Sequence, residues 1–185
     1  MKLDNILKHL VTLLHAEGMD ASLIGIDDVS PQDRILVFLG NDPQNREQIL
    51  EITAQDQELG QGLQSNTSQN APQLARVQFQ VLLPFKMQAV TAKEVASLIC
   101  YLNRQMELPG LEMNEVDDLL FYRHVLLATH EDLNKTLVIS VVGVIMFILK
   151  LYSELIESVA SGKMTFNTVL EKVIEASQFL DEKKE

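Results

Sequence analysis

The chain has 185 residues, of which 46% are apolar. A chain of this length can bury roughly 70% of the surface that it exposes when unfolded, so a stable fold requires neither metals nor disulfides. Cys100 is the only cysteine, which excludes an intramolecular disulfide and argues against cysteine-ligated metal sites. The 26 acidic side chains outnumber the 15 basic ones, for a formal net charge of −11. Only Lys183 and Lys184 are adjacent basic residues, so no basic stripe is available to hold phosphates, and nucleic acid is not an expected partner.

Two stretches of the sequence decide what we expect about membranes. Near the amino terminus, Asp4, Lys8 and His9 interrupt any run long enough to form the apolar core of a signal peptide. The most apolar uncharged stretch, 136–149, has fourteen residues, whereas a helix that crosses lipid needs about twenty. We therefore expect a cytoplasmic protein without a membrane span.

The first half of the chain combines one helical pattern with several short apolar clusters. Apolar residues at helical spacing between Leu3 and Leu14 predict an amphipathic helix that ends at Gly18. Residues that favour turns separate the clusters that follow, which predicts antiparallel strands in a meander. These clusters cover 23–26, 35–39, 49–52 and 77–83. Segment 55–73 is rich in Gln, Asn and Ser, and we expect a long flexible loop there, with a segment that orders around a partner as the alternative.

A second helix and a hairpin are predicted after the meander. Thr91 and Glu94 have the spacing of a capping box, in which the two side chains satisfy free N–H groups at the start of a helix. Farther on, apolar stretches over 113–116 and 119–128 flank Asp117-Asp118. Aspartates accept the left-handed conformations of a tight turn, so this arrangement predicts a two-stranded hairpin.

The last part of the chain has a helical pattern. A long helix is expected to start near Thr129 and run toward Ala160, to end before Gly162, and to be followed by a last helix capped by Thr165. The predicted fold is therefore α+β, with an antiparallel sheet packed against helices. We expect one α+β domain over 1–160 and a C-terminal helical appendage over 161–185 that packs on the same core.

The order of these elements resembles a known superfamily. The residues that carry the resemblance are the amphipathic helix over 3–14, the strand over 77–84 that leads into the Thr91 helix, and the passage from 102–106 to 119–127. Together they resemble the type III secretion chaperones and, within that superfamily, the YbjN-like bacterial proteins of uncertain function. The resemblance implies a protein-binding or regulatory role without catalysis, and often a homodimer. The helix after Gly162 and the loop over 55–73 depart from the minimal chaperone.

The sequence offers no strong signature of catalysis, metal binding or cofactor binding. Neither a Walker A sequence nor a Gly-x-Ser-x-Gly elbow is present. The segment 130–134 begins like a zinc protease helix, but asparagine stands at its second ligand position. We therefore predict a non-enzymatic protein without metal or cofactor. The alternative is a small-molecule-binding protein or small enzyme with a pocket between sheet and helices, formed by His124, Arg123 and an acid such as Glu115.

The long helix is the main candidate for an interaction surface. Residues 137–149 are apolar nearly all round, whereas a helix in a small two-layer domain needs only one apolar face. The remaining apolar surface can be covered by the stripe 166–174 of the last helix, by a second copy or by a client protein. We expect a homodimer and an unidentified protein partner. The residues predicted to form the interaction surface are Val138, Val141, Val142, Ile145, Ile148 and Leu149.

Overall fold

The computed structural model of the chain describes residues 3–28, 30–57, 74–129 and 134–182. Within these ranges the fold is α+β, as predicted, with six strands and four α-helices. The elements, in chain order, are α1 (Leu3–Ala16), β1 (Asp20–Ile24), β2 (Arg34–Asn41), β3 (Glu47–Gln57), β4 (Leu74–Lys86), α2 (Ala92–Gln105), β5 (Leu111–Asn114), β6 (Leu119–Thr129), α3 (Lys135–Ala160) and α4 (Phe166–Glu182). A short 3₁₀ helix over Ala89–Thr91 precedes α2.

The strands form one antiparallel sheet in the order β1-β2-β3-β4-β6-β5. The predicted meander over the first four strands is confirmed, with Ile35 paired to Ile52 and Ile52 paired to Phe79. The strand β3 spans Glu47–Gln57 instead of the predicted 49–52. Its last three residues, 55–57, pair with β4 and therefore do not belong to the predicted loop. The side chains of Gln55 and Asp56 are both exposed, and because neighbouring residues in a strand point to opposite faces, both faces of β3 are solvated at this end. The rest of the predicted flexible loop, 58–73, lies outside the described residues.

The chain divides into two compact units, each with its own core. The first comprises Met1–Pro84 and Tyr122–Phe147, and the second comprises Phe85–Phe121 and Ile148–Glu185. These boundaries fall within β4, β6 and α3. The predicted division of the chain into 1–160 and 161–185 stays a prediction.

In the first unit, α1 contacts β1, β2 and β3. The helix buries the apolar residues that the sequence spacing placed on one face, including Leu10 and Leu14, which are fully buried. It ends as predicted at Gly18, whose φ of 77° is accessible to glycine at little cost. Along β4, every second side chain is buried, which is the alternation expected of a strand with one face toward a core.

In the second unit, the ends of the helices are held by residues distant in sequence. Thr91 and Glu94 do not form the predicted capping box. Instead, the Thr91 hydroxyl lies 2.9 Å from the carbonyl oxygen of Ala160 and donates to it. The Glu94 carboxylate accepts a 2.7 Å hydrogen bond from the backbone N–H of Phe166, the first residue of α4. Thr165 caps α4 through the N–H of Thr168, as the sequence indicates.

The hairpin and the start of α3 differ in detail from the sequence prediction. β5 ends at Asn114, two residues earlier than expected, because the Asn114 side chain accepts the N–H of Val116 and begins the turn. Asp118 has a φ of 58°, the left-handed conformation predicted for this turn. α3 begins at Lys135 rather than near Thr129, which is instead the last residue of β6. Asn134 caps α3 by accepting the N–H of Leu137 at 3.2 Å, and residues 130–133, which include the predicted capping segment, lie outside the described residues.

Candidate interaction surfaces

The residues that the sequence analysis assigned to an interaction surface on α3 lie in the core. Each has no more than 4% of its surface exposed. Their spacing of three, four or one residues places them on one side of the helix, and this side faces the interior of the chain. This corrects the assignment, since residues buried to this degree offer no surface to a partner. The six residues concerned are Val138, Val141, Val142, Ile145, Ile148 and Leu149.

The opposite side of α3 is apolar and exposed. Leu137, Phe147 and Leu151 are 45%, 61% and 50% exposed, respectively. Between them, Ser140 is exposed and Val144 is half-buried. These five residues, which we call the outer face of α3, follow one another at alternating intervals of three and four residues, the spacing of a coiled-coil seam. The same spacing is visible in the sequence, but a helix that is apolar on several sides does not reveal which side faces the core.

Gly143 lies beside this outer face in the middle of α3. A Cβ atom added at this position would meet no atom within 4 Å. Glycine in a helix interior costs about 1 kcal/mol relative to alanine, because it loses more conformational freedom on folding. Among the residues that the structure describes, neither packing nor a positive φ accounts for this glycine.

By length and composition, α3 could also cross a membrane. Its mean hydropathy over the most apolar window of 18 residues is 2.1, and 39% of that window is buried within the chain. A buried core helix satisfies the same criterion. The expected absence of a membrane span therefore stays a prediction.

A second exposed apolar surface lies on the sheet. Phe38 of β2 pairs with Ile49 of β3, and Leu82 of β4 follows Val81, which pairs with Leu50. Phe38 and Leu82 are 41% and 49% exposed, and Ile49 is half-buried. We call these three residues, Phe38, Ile49 and Leu82, the sheet row. Because neighbouring residues in a strand alternate between faces, Leu50 and Val81 point to the core.

Polar side chains lie beside the sheet row on this face, together with the half-buried Leu36. Arg34 donates two hydrogen bonds to the Asp27 carboxylate, at 3.1 and 2.8 Å, and its Nε lies 3.6 Å from Glu51. The hydrogen bond to Asp27 raises the pKa of the Arg34 guanidinium above its usual value. Along β4, Gln78 accepts a 3.1 Å hydrogen bond from Arg76. The sheet row is therefore an apolar cluster bordered by side chains that already have partners.

The residues considered for a pocket do not converge. Arg123 and His124 are consecutive in β6 and half-buried, so their side chains point to opposite faces of the sheet. Glu115 is exposed in the turn after β5. Burial lowers the pKa of His124, which favours the neutral imidazole. Among the residues that the structure describes, no three His, Cys, Asp or Glu side chains are grouped so that they could hold a metal ion.

Comparison with known proteins adds no relative to this description. No protein-family model matches the chain, and no curated protein is similar to it at a level that indicates kinship. The strands and helices define an antiparallel α+β fold, and the resemblance to type III secretion chaperones stays a prediction.

Proposed function

We propose that the protein is a non-catalytic protein-interaction module of the cytoplasm, chaperone-like or regulatory, and that it holds a partner protein on its sheet row. The observation that carries this proposal is the exposure of Phe38 and Leu82 on paired strands. Strand backbones are held by the hydrogen bonds of the sheet, so these side chains lose little backbone freedom when a partner covers them. An apolar centre with a polar border is also the usual anatomy of a protein–protein interface.

The size of the sheet row suits the centre of an interface. The exposed parts of Phe38 and Leu82 amount to about 160 Å², and covering them would contribute on the order of 4 kcal/mol before the costs of association. A few residues commonly supply most of the binding energy of an interface while polar neighbours exclude water. The hydrogen bonds of Arg34 and Arg76 leave such neighbours in place around the row.

The proposal is tested by capturing partners of tagged protein from the cells that produce it. Leu82→Glu places a charge in the sheet row. The control variant, Val116→Glu, places the same charge at an exposed apolar residue of the β5–β6 turn. We expect at least one protein whose recovery falls tenfold or more with Leu82→Glu and is unchanged with Val116→Glu. Circular dichroism confirms that both variants are folded. Equal recovery of every captured protein with both variants would contradict the proposal.

A further inference from the structure

We propose that the outer face of α3 binds the same face of a second copy of the chain, with the two helices antiparallel. This contact uses residues outside the sheet row, so the protein would form a homodimer while the sheet row remains available to a different partner. The contacting residues are those of the outer face, Leu137, Ser140, Val144, Phe147 and Leu151.

The order of small and large residues along the outer face makes its part from Ser140 to Leu151 complementary to itself. A two-fold axis that passes between positions 145 and 146 of the two helices places Phe147 of each copy opposite Val144 of the other. The same axis places each Leu151 opposite Ser140 of the other copy. Phe147 and Leu151 then each face a smaller side chain, and Leu137 of each copy lies opposite Glu154 of the other at the ends of the contact.

Gly143 supports this register. It precedes Val144 and lies one helical turn before Phe147, about 6 Å along the axis. The open space above Gly143 is therefore next to the position that Phe147 of the second copy would occupy. Close approach of another backbone or ring is a recognised reason for a glycine inside a helix. The Phe147 ring of the second copy would make such an approach.

Charge also favours a second copy on this face. Each chain carries a formal net charge of −11, so most surfaces of two copies repel each other. Residues 136–149 carry no charged side chain. At the start of the helix, the Lys135 ammonium lies 2.7 Å from the Glu17 carboxylate, which balances its charge. The five residues of the outer face thus bring two acidic chains together without a charge at the centre of the contact, and Glu154 lies only at its ends, opposite Leu137 of the other copy.

The area of the outer face indicates how strong the dimer would be. The overlap from Leu137 to Glu154 is about 27 Å long and would cover roughly 400 Å² on each copy, about half of the ~800 Å² per partner in a standard interface. We therefore expect dissociation constants in the micromolar range, with monomer at nanomolar concentration.

Sedimentation equilibrium over a concentration series tests the dimer. The wild-type chain should change from a mass of 20.8 kDa to twice that value as the concentration rises through the micromolar range. Phe147→Glu and Gly143→Gln should each weaken association tenfold or more, the first by placing a charge in the contact and the second by filling the space above Gly143. Val116→Glu, remote in the β5–β6 turn, should leave the association unchanged.

Several outcomes would overturn the proposal. One is a wild-type mass of 20.8 kDa at every concentration, and another is a dimer that both Phe147→Glu and Gly143→Gln leave intact. Flotation of the wild-type chain, but not of Phe147→Glu, with phosphatidylcholine vesicles would assign the outer face to lipid instead. At a concentration at which the wild-type chain is monomeric, the thermal midpoint of Gly143→Gln should not fall, because glutamine favours a helix more than glycine does, so loss of association cannot be attributed to unfolding. Leu82→Glu should preserve the dimer, which separates this result from the test of the sheet row.

Discussion

Asp42 organises the turn between β2 and β3 by itself. Its Oδ1 accepts hydrogen bonds from the backbone N–H groups of Gln44 and Arg46, at 2.9 and 2.8 Å. Its Oδ2 accepts a 2.7 Å hydrogen bond from the Nε of Arg46. Burial of Asp42 opposes its ionisation, but the hydrogen bonds and charge of Arg46 outweigh it, so the pKa of Asp42 lies below its usual value. The ionised carboxylate is therefore the form that the folded chain stabilises.

The lowered pKa of Asp42 sets the pH dependence of its contribution to stability. The contribution is present above the ordinary aspartate pKa, about 4, and is lost as the pH falls through the lower pKa of the folded state. We expect Asp42→Asn to reduce the free energy of unfolding by about 1 kcal/mol at pH 7, since it removes the charge-assisted hydrogen bonds to Arg46. Urea unfolding at pH 7 and pH 3 measures this deficit, which should shrink at pH 3. The exposed Asp20→Asn is the control, and an equal deficit at both pH values would show that the charge is not responsible.

Individual residues differ in whether their roles can be predicted from neighbouring positions in the sequence. Gly18, Asp118 and Thr165 act as their local sequence predicts, because a left-handed turn or a helix cap depends on a few neighbouring residues. Glu94 does not, although its spacing from Thr91 matches a capping box. Its carboxylate binds the N–H of a residue 72 positions away, and no local pattern contains that information.

Glu94, a residue of α2, satisfies a backbone N–H group at the start of α4, so the first turn of α4 depends on α2. The hydrogen bond from Phe166 to Glu94 joins these helices, and the rings of Phe166 and Tyr101 meet edge to face with centroids 6.0 Å apart. We expect Glu94→Ala to destabilise the first turn of α4 by about 1 kcal/mol, as the loss of a helix cap usually does. Amide hydrogen exchange should be faster in that turn, whereas the exposed Glu171→Ala should leave it unchanged. Unaltered exchange in Glu94→Ala would mean that Thr165 alone is a sufficient cap.

The glycine in α3 gives a second prediction for an element. Because a Cβ at Gly143 meets no atom of the described part of the chain within 4 Å, Gly143→Ala should stabilise the monomer by roughly 0.5–1 kcal/mol through helix propensity. Urea unfolding at a concentration well below that of dimer formation measures the change. A loss of stability in the dilute monomer would indicate that Gly143 is required within the single chain.

The spacing of apolar residues in the sequence predicts where helices and strands occur better than it predicts which of their faces are buried. The meander and α1 follow from alternating and helical spacing because each has one apolar face. In α3 the apolar residues form two stripes, and both satisfy the helical period. Packing of the whole chain selects the stripe with Val138 and Ile145 for the core and leaves the one with Leu137 and Phe147 exposed. The sheet row could not be predicted for a related reason, since strand register depends on residues far apart in sequence.

The whole molecule has two apolar surfaces that suit different partners. The outer face of α3 is self-complementary and lies in an uncharged stretch, which suits a second copy of an acidic chain. The sheet row is smaller and is bordered by hydrogen-bonded polar side chains, which suits the centre of an interface with a different protein. We therefore claim that the two surfaces serve separate partners.

Site-specific photocrosslinking in the cells that produce the protein tests this claim most directly. A photoreactive amino acid at position 147 should yield an adduct of two chains, about 41.6 kDa from twice 20.8 kDa. The same amino acid at position 82 should yield an adduct with a different protein, and at the exposed position 116 it should yield neither. Self-adducts from position 82, or adducts from position 147 that contain only other proteins, would contradict the account.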